Sequence, residues 1–245
     1  MALFYLALSV ARKILIYIKI RTNLEELEKN HAHGFYKDLH SSQLIKMIED
    51  GMVGSFLHVT DLQEANYLQT LAQKSRLQIP LLIGIDAIHG NGLCTGVTIY
   101  PTAIGQASTF EPELVKRASQ ETALEARATG AHWAFTPNVD VARDPRWGRT
   151  GETFGEDPLL VSRMGVATVK GLQGEQADKS EHVLACAKHL VGGGQSVNGR
   201  NCAPFDASER MLNEIFFPPF KACVDAGVYI CLPNCFVICG ISTVL

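Results

Sequence analysis

Ionisable residues stand directly after apolar runs at three places in this 245-residue chain. Asp86 follows Leu81 to Ile85, Asp140 and the Arg143 to Arg149 stretch follow His132 to Val139, and Lys188 with His189 follows Val183 to Ala187. A carboxylate, a guanidinium, an ammonium and an imidazole brought to one rim can hold a neutral polyol. Carboxylate oxygens accept from two adjacent hydroxyls, while Arg, Lys and His donate to others. Trp133, Trp147 or Phe154 could wall the C–H face of a ring, with core packing as the other use of each. A salt bridge across the mouth of the fold is the other use of the charged set. The two uses separate on one substitution. An isosteric amide at Asp86 disturbs ligand binding if the carboxylate grips hydroxyls, and lowers stability if it only pairs with Arg149 or Lys188.

Other chemistries fit less well. His31 and His33 are the one close histidine pair, in a segment that reads as a loop, so a metal site has no clustered ligands there. Gly192-Gly193-Gly194 lacks the spacing of a phosphate-binding loop and reads as a flexible loop lining a pocket. No GxSxG elbow marks a serine hydrolase.

Elements able to position the charged set follow from hydrophobic patterning. Five short apolar runs, Val53 to Val59, Leu81 to Ile85, His132 to Phe135 continuing toward Val139, Val183 to Ala187, and Val228 to Leu232, read as strands covered on both faces. Helical segments lie between them, and that alternation signals β/α units around a parallel sheet. Asp61 with Glu64 forms a capping box, Pro112 opens a second helix that Gly130 ends, and Asp157-Pro158 opens a third that Gly171 closes. Asp206 with Glu209 opens a last helix, which Pro218-Pro219 interrupts. Ligands of parallel α/β folds bind at the carboxyl ends of strands, where the charged residues fall.

Composition narrows the partner. Lys and Arg total 22 against 25 Asp and Glu, with 47% hydrophobic residues, which excludes disorder and lacks the basic excess of a nucleic-acid protein. Seven scattered cysteines do not make a disulfide framework. Cys231, Cys235 and Cys239 recur every fourth residue and could offer thiolates to a metal, or serve as small buried hydrophobes. The amino-terminal apolar run stops at Arg12, short of the roughly 20 residues a span needs, and no positive segment precedes it as in a signal peptide.

Four stretches in order, IPLLIGIDAIHG, ETALEARATGAHWAFTPNVDVARDPRWGRTGETFGEDPLLVSRMGVA, VLACAKHLVGGG and DASERMLNEIFFPPFKACVDAG, resemble glycoside hydrolase family 3, in particular its periplasmic β-glucosidase branch. The resemblance spans about residues 44 to 227. It implies a (β/α)₈ TIM-barrel-like N-terminal domain, incomplete at about five β/α units, over 41–245, with 1–40 poorly matched. It implies retaining, exo-acting hydrolysis of β-linked glucosides or oligosaccharides, no cofactor, no metal, and a periplasmic or secreted location. Asp86 resembles the aspartate that grips distal sugar hydroxyls, and Arg149, Lys188 and His189 resemble further sugar-binding residues. Leu190 stands where the family usually has phenylalanine.

Retaining hydrolysis needs two carboxyl groups about 5 Å apart. The family's nucleophile is an aspartate in a GF-V-x-SDW-like pattern, which does not occur before Leu245, and its acid/base glutamate usually comes from a second domain. The expectation is therefore a chain that holds sugar-binding residues and lacks catalytic ones, inactive in isolation. A non-catalytic carbohydrate-binding protein and a truncated product without function are the alternatives. Five strands cannot close an eight-stranded barrel, so self-association through exposed barrel edges is expected.

Overall fold

The computed structural model describes residues 41–174 and 181–233, together with the short strands at 237–238 and 241–242. His31, His33, Cys235, Cys239 and the amino-terminal apolar run lie outside the described residues. The chain forms two compact units, one from the residues up to Ile85 with Ala128–His132, the other from Asp86–Arg127 and the residues from Trp133 onward.

In the first unit, helix α1 (Ser41–Glu49) leads to strand β1 (Ser55–Leu57), helix α2 (Leu62–Gln73) and strand β2 (Leu82–Ile85). Leu44 and Ile48, one helical turn apart, are buried with Phe56, Leu68, Leu71 and Ile83 in a common core. Each such side chain contributes about 1.5–3 kcal/mol by leaving water. The strands pair in parallel, with Phe56 opposite Ile83. Asp61 caps α2 as its sequence implies, Oδ1 accepting from Glu64 N at 2.8 Å. The reciprocal half of the capping box is not made: both Glu64 carboxylate oxygens are sealed from solvent without a hydrogen-bond partner among the described residues. Burial first, and the Asp61 charge second, push the Glu64 carboxyl up to about 7. Gln69, near the end of α2, binds both polar groups of Leu81, Nε2 donating to its carbonyl at 2.8 Å and Oε1 accepting from its N–H at 2.9 Å.

The second unit contains helices α3 (Ala103–Ala107) and α4 (Pro112–Ala128, whose last residue belongs to the first unit), strand β3 (Trp133–Ala134), helix α5 (Pro158–Gln173), strand β4 (Leu184–Leu190), helices α6 (Glu209–Met211) and α7 (Phe217–Asp225), and strand β5 (Ile230–Pro233). β4 pairs in parallel with β3 on one side and β5 on the other. The regular part of β3 is short because Pro137 has no N–H to give, yet the ladder resumes: Val139 N donates to Lys188 O at 2.8 Å. Gln173, the last residue of α5, repeats the role of Gln69. Its Oε1 accepts from Ala185 N at 3.1 Å and Tyr229 N at 3.2 Å, and its Nε2 donates to Gly227 O at 2.9 Å. A two-rung antiparallel pair, β6 (Val237–Ile238) with β7 (Ile241–Ser242), lies near the carboxyl end.

All five apolar runs of the sequence hold a strand, β4 running three residues past its expected end to Leu190. Three local readings need correction. Gly171 does not close α5; it lies inside the helix, where a Cβ would stand 2.5 Å from Lys116 O and from Ser119 Cβ, so glycine serves close packing there. Gly174, at φ +70°, ends the helix. The last helix is capped by Ser208, whose hydroxyl accepts from Met211 N at 3.2 Å, and not by Asp206. The two prolines start α7 after a wide turn over Leu212–Phe216, at positions that need no N–H. Finally, Gly192-Gly193-Gly194 is buried rather than a loose loop. The Gly194 carbonyl accepts from Arg143 N at 2.9 Å and Asp144 N at 2.8 Å, and a Cβ on Gly194 would meet Val141 O at 2.1 Å.

Candidate functional site

β4 delivers two of the four expected residues. A regular strand sends neighbours to opposite faces, but the register between β4 and β5 shifts between Lys188 and Leu190, and the irregularity falls at His189. Lys188 is 5% exposed, and its Nζ donates to Asp86 Oδ1 at 3.1 Å, the carboxylate itself being 37% exposed. Of the two ion pairs that the sequence allowed for Asp86, the structure makes the one with Lys188.

His189 turns to a different carboxylate. Its Nδ1 lies 2.8 Å from Asp140 Oδ2, and its backbone N donates to the same oxygen at 3.2 Å. Asp140 is fully buried, and its own N donates to Asn138 Oδ1 at 3.1 Å. Asp140 Oδ1 has no hydrogen-bond partner among the described residues.

Arg149 comes from the loop after β3. Its guanidinium forks onto Glu152, Nε to Oε1 at 2.9 Å and Nη2 to Oε2 at 2.8 Å, across a 3₁₀ turn over Thr150–Glu152. Those hydrogen bonds raise the Arg149 pKa against the opposing effect of burial, and the charges of Glu152, Asp140 and Asp86 add to them. Burial alone would raise Glu152, but the Arg149 bonds and charge, with the Lys188 charge, hold its carboxyl below the usual range. Together with the Lys188–Asp86 and His189–Asp140 contacts, these charges place Asp86, Asp140, Arg149, Glu152, Lys188 and His189 in one electrostatic cluster. Elsewhere in the Arg143 to Arg149 stretch, Arg146 is spent on Asp144, Nη2 to Oδ2 at 2.7 Å.

Glu152 went unread in the sequence, although a carboxylate three residues after an arginine in a tight turn is a legible pairing signal. Asp140 was visible as a residue after a strand but not as the partner of His189. The three aromatics do not make an open wall. Trp133 packs on Phe135 with ring centroids 4.1 Å apart, Trp147 Nε1 donates to Asn201 Oδ1 at 3.2 Å, and both tryptophans and Phe154 are buried. Cys186 and Cys223 are buried, which pushes each thiol up to about 12. Among the described residues no group of three His, Cys, Asp or Glu could hold a metal ion, and no helix is long and apolar enough to cross a membrane.

Five parallel strands with helices between them, and a compact set of carboxylates and cations at strand ends, define an incomplete (β/α)₈-type domain. The profile of the glycosyl hydrolase family 3 N terminal domain matches residues 19–237, and the chain belongs to that family. It is 46% identical over 179 residues to a β-xylosidase of Formosa agariphila, covering 69% of this chain and 25% of the relative. It is 37% identical over 183 residues to a periplasmic β-glucosidase of Salmonella typhimurium, covering 74% and 23% respectively. A crystal structure of β-glucosidase from Listeria innocua superposes with a TM-score of 0.77 at 29% identity, over 92% of this chain and 30% of that one. The chain thus spans about a quarter of the length of the curated relatives it matches.

Proposed function

We propose that this chain is the sugar-binding part of a β-glucosidase-like glycoside hydrolase, retaining and exo-acting on β-linked glucosides or oligosaccharides. Asp86, Arg149, Lys188 and His189 hold the non-reducing sugar, and the nucleophile and acid/base are contributed by residues outside these 245. The observation that carries the reading is the buried Lys188 beside a half-open Asp86 carboxylate. That arrangement keeps a cation and an acceptor together while leaving the carboxylate reachable by hydroxyls. The Listeria innocua β-glucosidase has been solved with glucose bound, which supports a monosaccharide as ligand class. The periplasmic relative supports a periplasmic or secreted setting. Domain limits of 41–245, with 1–40 apart, and self-association through uncovered strand edges belong to the same proposal.

The 46% identity to a β-xylosidase favours a second substrate reading, a β-linked xyloside. Glucose and xylose titrations of the purified 245-residue chain, with assays on aryl β-glucoside and aryl β-xyloside, test both. The expected result is saturable binding of one sugar without turnover. Turnover abolished by Asp86→Ala would overturn the assignment of the reacting carboxylates to other residues. Absence of binding to either sugar would overturn the site itself.

A further inference from the structure

Asp140 reaches the cluster through His189. Its Oδ2 accepts two hydrogen bonds from that one residue, from Nδ1 at 2.8 Å and the backbone N at 3.2 Å, while Asn138 anchors its backbone. An ionised carboxylate only accepts, so the ring hydrogen belongs on Nδ1. In a neutral imidazole the other nitrogen is then an acceptor. The His189 side chain keeps 13% exposure, and Nδ1 faces a carboxylate that has none, so the open edge of the ring is the one that bears Nε2.

We propose that Asp140 is a positioning residue that fixes His189 in its Nδ1–H tautomer and thereby makes Nε2 an acceptor for a sugar hydroxyl. This inference rests on the sugar-site reading and deepens it. It reverses the donor role that the sequence suggests for His189. The site then presents two kinds of partner in balance: Arg149 and Lys188 donate, while Asp86 and His189 accept. A ligand must offer donating hydroxyls to both acceptors, which selects a polyhydroxylated ring over an ether or a deoxy sugar at those positions.

The test reads the tautomer directly. Long-range proton–nitrogen correlation spectra of the ¹⁵N-labelled chain at mildly alkaline pH, with His189 assigned by loss of its signals in His189→Gln, should show Nδ1 protonated and Nε2 bare. In Asp140→Asn the amide oxygen can take the place of Oδ2, accept from both Nδ1 and the backbone N–H, and keep the wild-type pattern. In Asp140→Leu, which removes the acceptor, the Nδ1–H preference should be lost and Nε2–H become populated. Glucose affinity should fall at least about tenfold in Asp140→Leu. A wild-type His189 protonated on Nε2 or on both nitrogens overturns the proposal. So does an Asp140→Leu variant that keeps the wild-type pattern, or one that loses it without any loss of glucose affinity. Should Asp140→Leu fail to fold, the wild-type spectrum decides alone. A wild-type chain with the expected tautomer but no response to glucose upholds the positioning role and refutes the sugar reading, so the two failures are distinguishable.

Discussion

Asp86→Asn should lower stability as well as ligand affinity. Lys188 is 95% withdrawn from solvent, and its ammonium faces Asp86 at 3.1 Å. Removing one partner of a fully buried pair costs about 3–5 kcal/mol, because the remaining charge is stranded. Two features reduce that figure for this pair. Asp86 is 37% exposed, so water already screens part of the attraction, and the asparagine oxygen can still accept from Nζ. The expected loss is therefore about 1–2 kcal/mol, or roughly 2–8 °C in Tm for a chain of this size. Thermal unfolding of Asp86→Asn, Lys188→Met and the double variant measures it, with glucose titration on the same samples. The double variant should be less destabilised than the sum of the singles by at least about 0.5 kcal/mol, since removing both charges strands neither. A coupling energy of zero, with an unchanged Tm in Asp86→Asn, would refute the claim that the ion pair supports the fold.

Three further outcomes are expected. The folded Glu64 carboxyl titrates at about 7, above its ordinary value of 4.5, so it favours folding fully at pH below 4.5 and loses that contribution as pH rises through 7. Discounted for its partial exposure, the loss is about 1–2 kcal/mol, and urea midpoints of Glu64→Gln should be nearly flat over the same interval. Glu152→Gln breaks the charge-assisted fork on Arg149 and should weaken glucose binding about tenfold while changing stability by no more than about 1 kcal/mol. Gly194→Ala places a methyl against Val141 O and should destabilise by about 2–3 kcal/mol in chemical denaturation, whereas Gly148→Ala, with nothing within 4 Å, should be nearly neutral.

Strands were the most legible part of the sequence, because Leu82–Ile85 and Leu184–Ala187 are continuous apolar stretches bounded by charge, and burial on both faces dictates such runs. Helix starts with a short polar side chain before proline or before a glutamate were legible too, since Asp61 and Asp157 satisfy N–H groups three residues on. Glycines misled. Gly171 and Gly194 are required where backbone or side chains from distant parts of the sequence press against them, and spacing within one segment carries no trace of that neighbour. The same limit applied to the site. Asp86, Arg149, Lys188 and His189 were legible as residues at strand ends, but the pairing of Asp140 with His189 spans 49 positions and depends on β3 and β4 lying side by side.

The glutamine clamps at Gln69 and Gln173 divide labour within the β/α units they join. A side-chain amide is chemically a peptide group, and both residues use it as one, supplying an extra rung where the next strand begins. The amino ends of β2 and β4 are thus stitched to the helix before them by a side chain, and that of β5 to α5, independently of whatever loop leaves the opposite end. Insertions or replacements among the loops beyond the carboxyl ends can alter the charged rim while the stitching holds the frame in register. A lineage built this way can explore ring size and substituent pattern in its ligand by trading loops, with no need to reinvent the scaffold beneath them.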